Sequence, residues 1–247
     1  MDKTPQAVLL SCTPDPMSVM VRAWFHDTDT MEVKEEVLDR LDTLWERWTV
    51  EPTSILEFVH FSFLLKNVSR AFLAQITRHR HLGFWVTSMR TTDMAEFASE
   101  EDYDVPVSLP EEVVPMYREA MWSAQSWYKE LVGKGASRED ARGVIPLASH
   151  TSIAVTGNLR AWAGLFRQRA CLMAQQGMWK PLLDQMRWRL VQIDARFSDL
   201  FKTPCEYGKG DCPYQHEQEK RIADKAPSWK EQPSMAVCPK YLTKKSG

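Results

Sequence analysis

No stretch of this 247-residue chain approaches the ~18 consecutive apolar residues that a membrane-spanning helix requires. The first residues, Met1-Asp2-Lys3-Thr4-Pro5, lack the basic and apolar regions of a secretory signal, so the cytoplasm is the expected location. An excess of one charge sign is lacking as well. Lys and Arg number 31 against 33 Asp and Glu, a formal balance of −2, so no global basic field calls for a nucleic-acid polymer. There is no Gly-x-Gly-x-x-Gly loop, which removes a Rossmann-type dinucleotide site. The 5 cysteines include no Cys-x-x-Cys pair. In a reducing compartment they are expected to be thiols or metal ligands rather than disulfides. No internal repeat is visible.

What is present is a large apolar inventory: 44% hydrophobic residues, with 10 Trp and 10 Phe, ample for a buried core in one large domain or two small ones. Residues 6–12 read as a short buried strand. Asp29 and Glu32 suit a capping box for a helix over 30–48, with Val33, Val37, Leu41, Leu44, Trp45 and Trp48 at helical spacing. Val59, Phe61, Phe63 and Leu65 alternate with their neighbours as one apolar face of a strand, and Ser69 then caps a helix. Residues 84–92 read as extended and 99–110 as a loop. Helices are expected over 111–132, from Ser137 to near Pro146, over 158–176 and over 180–201. The count implies a helix-rich α+β domain with a small, mostly antiparallel sheet. Residues 204–247 change character to Gly, Pro, Lys, Glu and cysteine, so the chain divides into a 1–203 domain and a 204–247 tail.

Positive charge is concentrated in residues 78–90, Arg-His-Arg-His-Leu-Gly-Phe-Trp-Val-Thr-Ser-Met-Arg, at the end of an apolar helix-like run. Guanidinium groups present planar forks of donors that match phosphate and carboxylate oxygens. With Ser88 nearby, the cluster implies a pocket for a small anionic molecule. A solvated basic turn is the competing reading.

Arg78-His79-Arg80, seven residues, then Ser88 resembles the signature of the flavin-dependent thymidylate synthases. Residues 15–23 resemble that family's first helix, and 52–63 its Thr-Pro-Phe-Glu-His segment. Residues 137–147 resemble its Arg-Glu-x-Ala-Arg-x-x-Leu-Pro segment. Asn158-Leu159-Arg160, Arg169 and Ala174-Gln175 resemble its Asn-x-Arg…Arg…Ala-Gln helix. The resemblance implies the fold of the thymidylate synthase-complementing proteins and a pyrimidine nucleotide C5 one-carbon transferase. Its reaction would be reductive methylation of dUMP to dTMP with 5,10-methylenetetrahydrofolate, FAD and NADPH. It implies that Gln75, Arg78, Ser88, Arg90, Arg142 and Arg169 surround the nucleotide. Arg90 and Arg142 suit phosphate oxygens and Ser88 adds a hydroxyl. Arg169 would stabilise the ionised pyrimidine, which makes Arg169 and Ser88 the catalytic candidates. For the flavin it implies Ser54, Arg78, His79, Arg80, Asn158 and Arg160, with the isoalloxazine doing the redox chemistry. Partners would be a nucleotide and a folate, in a homotetramer whose sites draw on several subunits.

The chain departs from the family pattern at named places. Gly83, Trp85 and Val86 stand where Ser, Asn and Glu are usual, Pro52 and Met173 replace histidines, Gly164 an asparagine and Thr91 a tyrosine. The phosphate and Arg169 positions survive better than the polar wall around base and flavin. That pattern keeps open a dUMP or dCMP hydroxymethylase, a dCMP methylase, and a nucleotide-binding relic without redox chemistry. Cys205 and Cys212 flank Gly208 and Gly210, Cys238 precedes Pro239, and Cys171 lies two residues past Arg169. Together these four are expected to bind one metal centre, zinc or an iron–sulfur cluster, that staples the tail; scattered free thiols are the alternative.

Overall fold

The computed structural model describes residues 3–25, 40–50, 53–107, 109–171, 177–207, 212–226 and 238. The expected capping box at Asp29 and Glu32, and the first half of its helix, lie outside them, as do Pro52 and Met173. Strand β1 (Gln6–Cys12) leads into α1 (Pro16–Phe25), and α2 (Leu41–Val50) follows. A 3-10 turn (Thr53–Phe58) enters β2 (His60–Ser69), which runs directly into α3 (Arg70–Ile76) and then β3 (Gly83–Val86). Next come α4 (Val114–Gly133), the short α5 (Arg138–Ala141), β4 (His150–Asn158) and α6 (Leu159–Arg169). Helix α7 (Trp179–Ile193), a 3-10 turn (Ala195–Asp199), α8 (Pro204–Tyr207) and α9 (Gln215–Ala223) follow among the described residues. The strands form one antiparallel sheet in the order β1-β2-β4-β3.

The alternation in β2 does what its period requires. Val59, Phe61, Phe63 and Leu65 are fully buried, and Ile153 and Val155 of β4 join them. Trp48, Trp162, Trp179, Phe166 and Phe197, from the helices and the 3-10 turn at 195–199, pack on the same core. Phe63 meets Trp162 edge-on at 5.4 Å, and Phe61 meets Phe197 at 5.6 Å. Each fully buried ring contributes about 1.5–3 kcal/mol. A smaller cluster around Met94, Phe97, Met121, Tyr128 and Ile145 holds α4 and α5 to the loop over 94–105.

Several expectations change. β1 lies at the sheet edge rather than in the interior: Ala7 is buried, whereas Val8 and Leu10 are exposed. The extended segment after Phe84 stops at Val86, because Thr91 and Thr92 fold back to donate to the Ser88 carbonyl. The expected 180–201 helix breaks at Asp194, whose backbone is extended (φ −150°, ψ 126°) and whose carboxylate caps Arg196. Between Pro146 and Asn158, where the sequence alone suggests no element, lies β4, one of the sheet's two inner strands. There Gly157 fits closely under the loop before β3: a Cβ at that position would stand 2.3 Å from Leu82 Cδ2.

Candidate active site

Helix α3 places most of the chemistry. Ser69 ends β2 with an extended backbone, and its hydroxyl accepts from Phe72 N at 3.2 Å, which starts the helix. A bulge between Leu65 and Val68, with Asn67 at φ 54°, precedes it. Arg70 lies in the first turn and Gln75 in the last, about 8 Å apart along the axis at 1.5 Å per residue. Beyond Ile76 the chain turns tightly, with Arg78 N donating to Gln75 O and His79 N to Ile76 O. Arg78, Arg80 and His81 face solvent, whereas Leu82 is buried against Gly157.

At the Gln75 end the side chains form a hub. Arg169, in the last turn of α6, donates through Nε to His79 Nε2 at 3.1 Å and through Nη2 to the Gln75 carbonyl at 3.4 Å. Its guanidinium carbon lies 5.1 Å from the centre of the Trp179 ring. The Trp179 indole N–H donates to Gln75 Oε1 at 2.7 Å. A guanidinium has only donors, so the His79 nitrogen facing it must carry the lone pair. Burial, and then the charge of Arg169, push the His79 pKa from 6.5 down to about 4, which keeps the ring in that neutral form.

Beside the hub lies an open cavity of about 610 Å³. Arg78, His79, Arg80, Asn158 and Arg160 line it, with Leu82, Ala161 and Leu165 as apolar wall. Five of the six residues expected around a flavin thus meet at one place. Ser54 does not join them; it is exposed on the 3-10 turn and is not among the lining residues. Besides His79, two of the five have partners. Asn158 Oδ1 caps α6 by accepting from Ala161 N at 2.8 Å, and Arg160 pairs with Glu57 at 2.5 Å.

The expected phosphate residues gather separately. Ser88 Oγ accepts from Arg90 N at 3.2 Å. Arg90 and Arg142 converge on one carboxylate, Glu139, at 3.0 and 3.6 Å. The cap of α5 sets this geometry: Ser137 Oγ accepts from Asp140 N at 3.1 Å and donates to Asp140 Oδ2 at 2.7 Å. A residue absent from the sequence reading belongs here. Arg70 Nε is buried without a hydrogen-bond partner among the described residues. Burial and the nearby charge of Arg142 lower its pKa. A buried cationic donor left open beside a second cation is able to take an anion. The signal in the sequence was an arginine at the first position after a serine cap, where a carboxylate would suit the helix dipole better.

The four-cysteine centre is not assembled. Among the described residues no three His, Cys, Asp or Glu side chains come together to hold a metal. Cys171, Cys205, Cys212 and Cys238 are half-buried and not joined by disulfides. Cys205 Sγ lies 3.2 Å from the Thr203 hydroxyl in its own turn, and the Cys238 backbone N donates to Gln218 of α9 at 2.7 Å.

Comparison with known proteins bears on this arrangement. The family model described as thymidylate synthase complementing protein matches residues 8–187. The chain belongs to that family. Its relatives include the flavin-dependent thymidylate synthase of Pyrococcus furiosus, 32% identical over 149 residues. That match covers 60% of this chain, and the chain spans only 59% of the length of that relative. The enzyme of the same name from Nitratidesulfovibrio vulgaris is 32% identical over 192 residues, 69% of this chain and 76% of the relative. Thymidylate synthase X from Helicobacter pylori, solved with FAD and dUMP, superposes with a TM-score of 0.62 at 20% identity, covering 80% of this chain and 99% of that one. The UMP/dUMP methylase PolB from Streptomyces cacaoi, solved with 5-Br dUMP, gives 0.62 at 18% identity, over 80% and 94%. At these identities the structural likeness is one of fold. Within the thymidylate synthase complementing proteins, the matched span contains the hub, the cavity and the Arg90–Glu139–Arg142 group. It ends before Cys205, so the tail cysteines lie outside what defines the family. No helix among the described residues is long and apolar enough to cross a membrane.

Proposed function

We propose that this chain is a pyrimidine deoxynucleotide C5 one-carbon transferase that methylates dUMP to dTMP with 5,10-methylenetetrahydrofolate. The observation that carries the reading is the two-ended presentation by α3. Arg70, open and beside Arg142, lies at one end, and the Gln75–His79–Arg169 hub at the other. A nucleotide monophosphate needs a dianion site and, some ångströms away, a group that stabilises negative charge on the ring. Arg70, Arg90, Arg142 and the Ser88 hydroxyl take the phosphate, with Glu139 acting as counter-ion until the ligand arrives. Arg169 faces the pyrimidine, where its charge-assisted hydrogen bonds stabilise the anion that develops as C5 becomes nucleophilic. Gln75 and Arg78 complete the nucleotide contacts.

FAD fits the cavity by the chemistry of its donors. Arg78, Arg80 and Arg160 are three cations for a diphosphate, and Leu82, Ala161 and Leu165 are apolar wall for a ring system. When bound, it supplies hydride chemistry, with NADPH as the reductant. The chain's own part is to hold and orient: Asn158 fixes the start of α6, and neutral His79 keeps the Arg169 fork aimed. A homotetramer is part of the same reading. Trp85, Trp122, Trp127 and Trp188 are between 50% and 81% exposed, aromatic surface of the kind that subunit interfaces cover.

The test uses purified full chain. Its absorbance spectrum reports flavin, and mass analysis follows dUMP or dCMP incubated with methylenetetrahydrofolate and NADPH. A methyl added to dUMP is the expected product. A hydroxymethyl product or turnover of dCMP instead replaces the reaction named here. Nucleotide binding without turnover reduces the chain to a binding protein. A monomer by light scattering with activity intact removes the tetramer.

A further inference from the structure

Trp179 belongs to none of the residue sets that the family pattern supplies, yet three of the hub side chains meet on it. It opens α7, is 1% exposed, and packs against Phe72 of α3 with ring centres 4.5 Å apart. Its approach is secured by the residue before it, since Met178 Sδ accepts from Ser69 N at 3.1 Å. A buried tryptophan in a helical period is ordinarily core and nothing more. Here both of its polar features are engaged by functional side chains. The N–H meets Gln75 Oε1 at 2.7 Å, and the ring face lies 5.1 Å from the Arg169 guanidinium carbon. The His79 ring stands edge-on at 6.2 Å.

The chemistry of the indole decides what this does. An indole N–H only donates, so the Gln75 atom facing it must be the amide oxygen. That settles the otherwise ambiguous orientation of a glutamine amide and leaves the NH2 as the end with which Gln75 donates. The ring's negative face attracts the guanidinium from below, and the neutral His79 nitrogen holds its edge. Arg169 is thereby kept in one plane.

We propose that Trp179 is a positioning residue for the nucleotide site: its N–H locks Gln75 as a hydrogen-bond donor, and its ring is the floor on which Arg169 is held. This rests on the nucleotide-site reading above and adds to it a residue from α7. The site then favours ligands that present acceptor atoms to Gln75, and it does so through a side chain that never touches them.

The experiment is a double-variant cycle on the full chain, read as dUMP affinity and as kcat. Trp179→Phe keeps a ring and removes the N–H. It should weaken dUMP binding about ten-fold in the parent. It should change binding less than two-fold in a Gln75→Ala background, where no amide remains to orient. Its kcat should stay within about three-fold, whereas Trp179→Leu, lacking the ring, should also lose ten-fold or more in kcat. An equal loss of affinity in both backgrounds marks a merely structural tryptophan and overturns the proposal, as does equal kcat for Phe and Leu. If Gln75→Ala alone leaves dUMP affinity unchanged, the failure lies in the nucleotide-site reading instead, and the proposal falls with it. Should Trp179→Phe not fold, indole N–H spectra of the parent and of Gln75→Ala carry the test. One indole N–H should lose its hydrogen-bonded shift and exchange faster in the variant; unchanged indole signals overturn the proposal.

Discussion

The two groups of arginines are built on opposite principles. Arg169 is partly buried and held by uncharged groups: a neutral imidazole, a backbone carbonyl and an aromatic face. Arg90 and Arg142, with side chains 62% and 34% accessible, converge on the charge of Glu139, and Arg142 Nε also donates to the Glu139 carbonyl at 3.1 Å. A cation held by neutral acceptors keeps its full charge for a ligand and is poorly screened. A cation held by a carboxylate surrenders that partner when a dianion arrives, and in water it is screened within about 8 Å at physiological salt. The first arrangement suits an anion that appears only during reaction, the second an anion that arrives from solution.

Substitution of each group separates these roles. Arg169→Ala is expected to have the largest effect, lowering turnover by about 10²–10³ while dUMP affinity changes far less. Near-parental kcat in single-turnover assays removes Arg169 from the chemistry. Arg142→Ala removes a charge-assisted contact worth about 1.5–3 kcal/mol, so dUMP should bind roughly 10–100-fold more weakly. The loss should shrink at high salt, and a salt-independent loss in titrations at two ionic strengths contradicts a phosphate role.

Protonation tests the neutral side of the comparison. The unfolded chain takes up a proton on His79 as pH falls through 6.5, whereas the folded chain does so only near 4. The folded form therefore binds fewer protons across that window, and stability is lost as pH falls through it. Denaturant midpoints for His79→Gln should show a shallower decline between about pH 7 and pH 5 than the parent. Parallel declines contradict a buried neutral imidazole. The smallest effect is expected from Glu139→Gln. Exposed ion pairs contribute about 0–1 kcal/mol, so its removal should tighten dUMP by a few-fold at low salt, with no change at high salt. Weaker binding to this variant makes Glu139 a scaffold rather than a displaceable counter-ion.

What was legible in the sequence follows from how local its cause is. The inward face of β2 and the caps at Ser69 and Ser137 were readable because period and capping act within a few residues. The family was readable because the spacing of its motifs is rigid. β4 was not: Thr151 and Gly157 occupy inward positions there, which blunts the contrast that alternation relies on. The break at Asp194 was hidden because Phe197 continues the helical period beyond it. Arg70 and Trp179 were missed because their meaning depends on α5 and on α3 and α6, each distant in the chain. The four-cysteine centre was argued from spacing and from a tail in need of a staple, and neither says which neighbours a thiol will meet.

The close fit of Leu82 over Gly157 has a consequence for how this protein can change. The stretch that begins at Arg78 is located from outside, by a leucine seated where β4 has no side chain. A segment anchored this way need not spend its own residues on finding its place. Trp85 and Val86 then lie on a strand whose start is already placed, and Gly83 fits closely as well: a Cβ there would stand 3.1 Å from Thr156 Cγ2. Gly157→Ala would push the Leu82 side chain out of this seat, since the added methyl and Leu82 Cδ2 cannot occupy the same space. The notch thus ties the placement of the basic turn to a strand residue far along the chain.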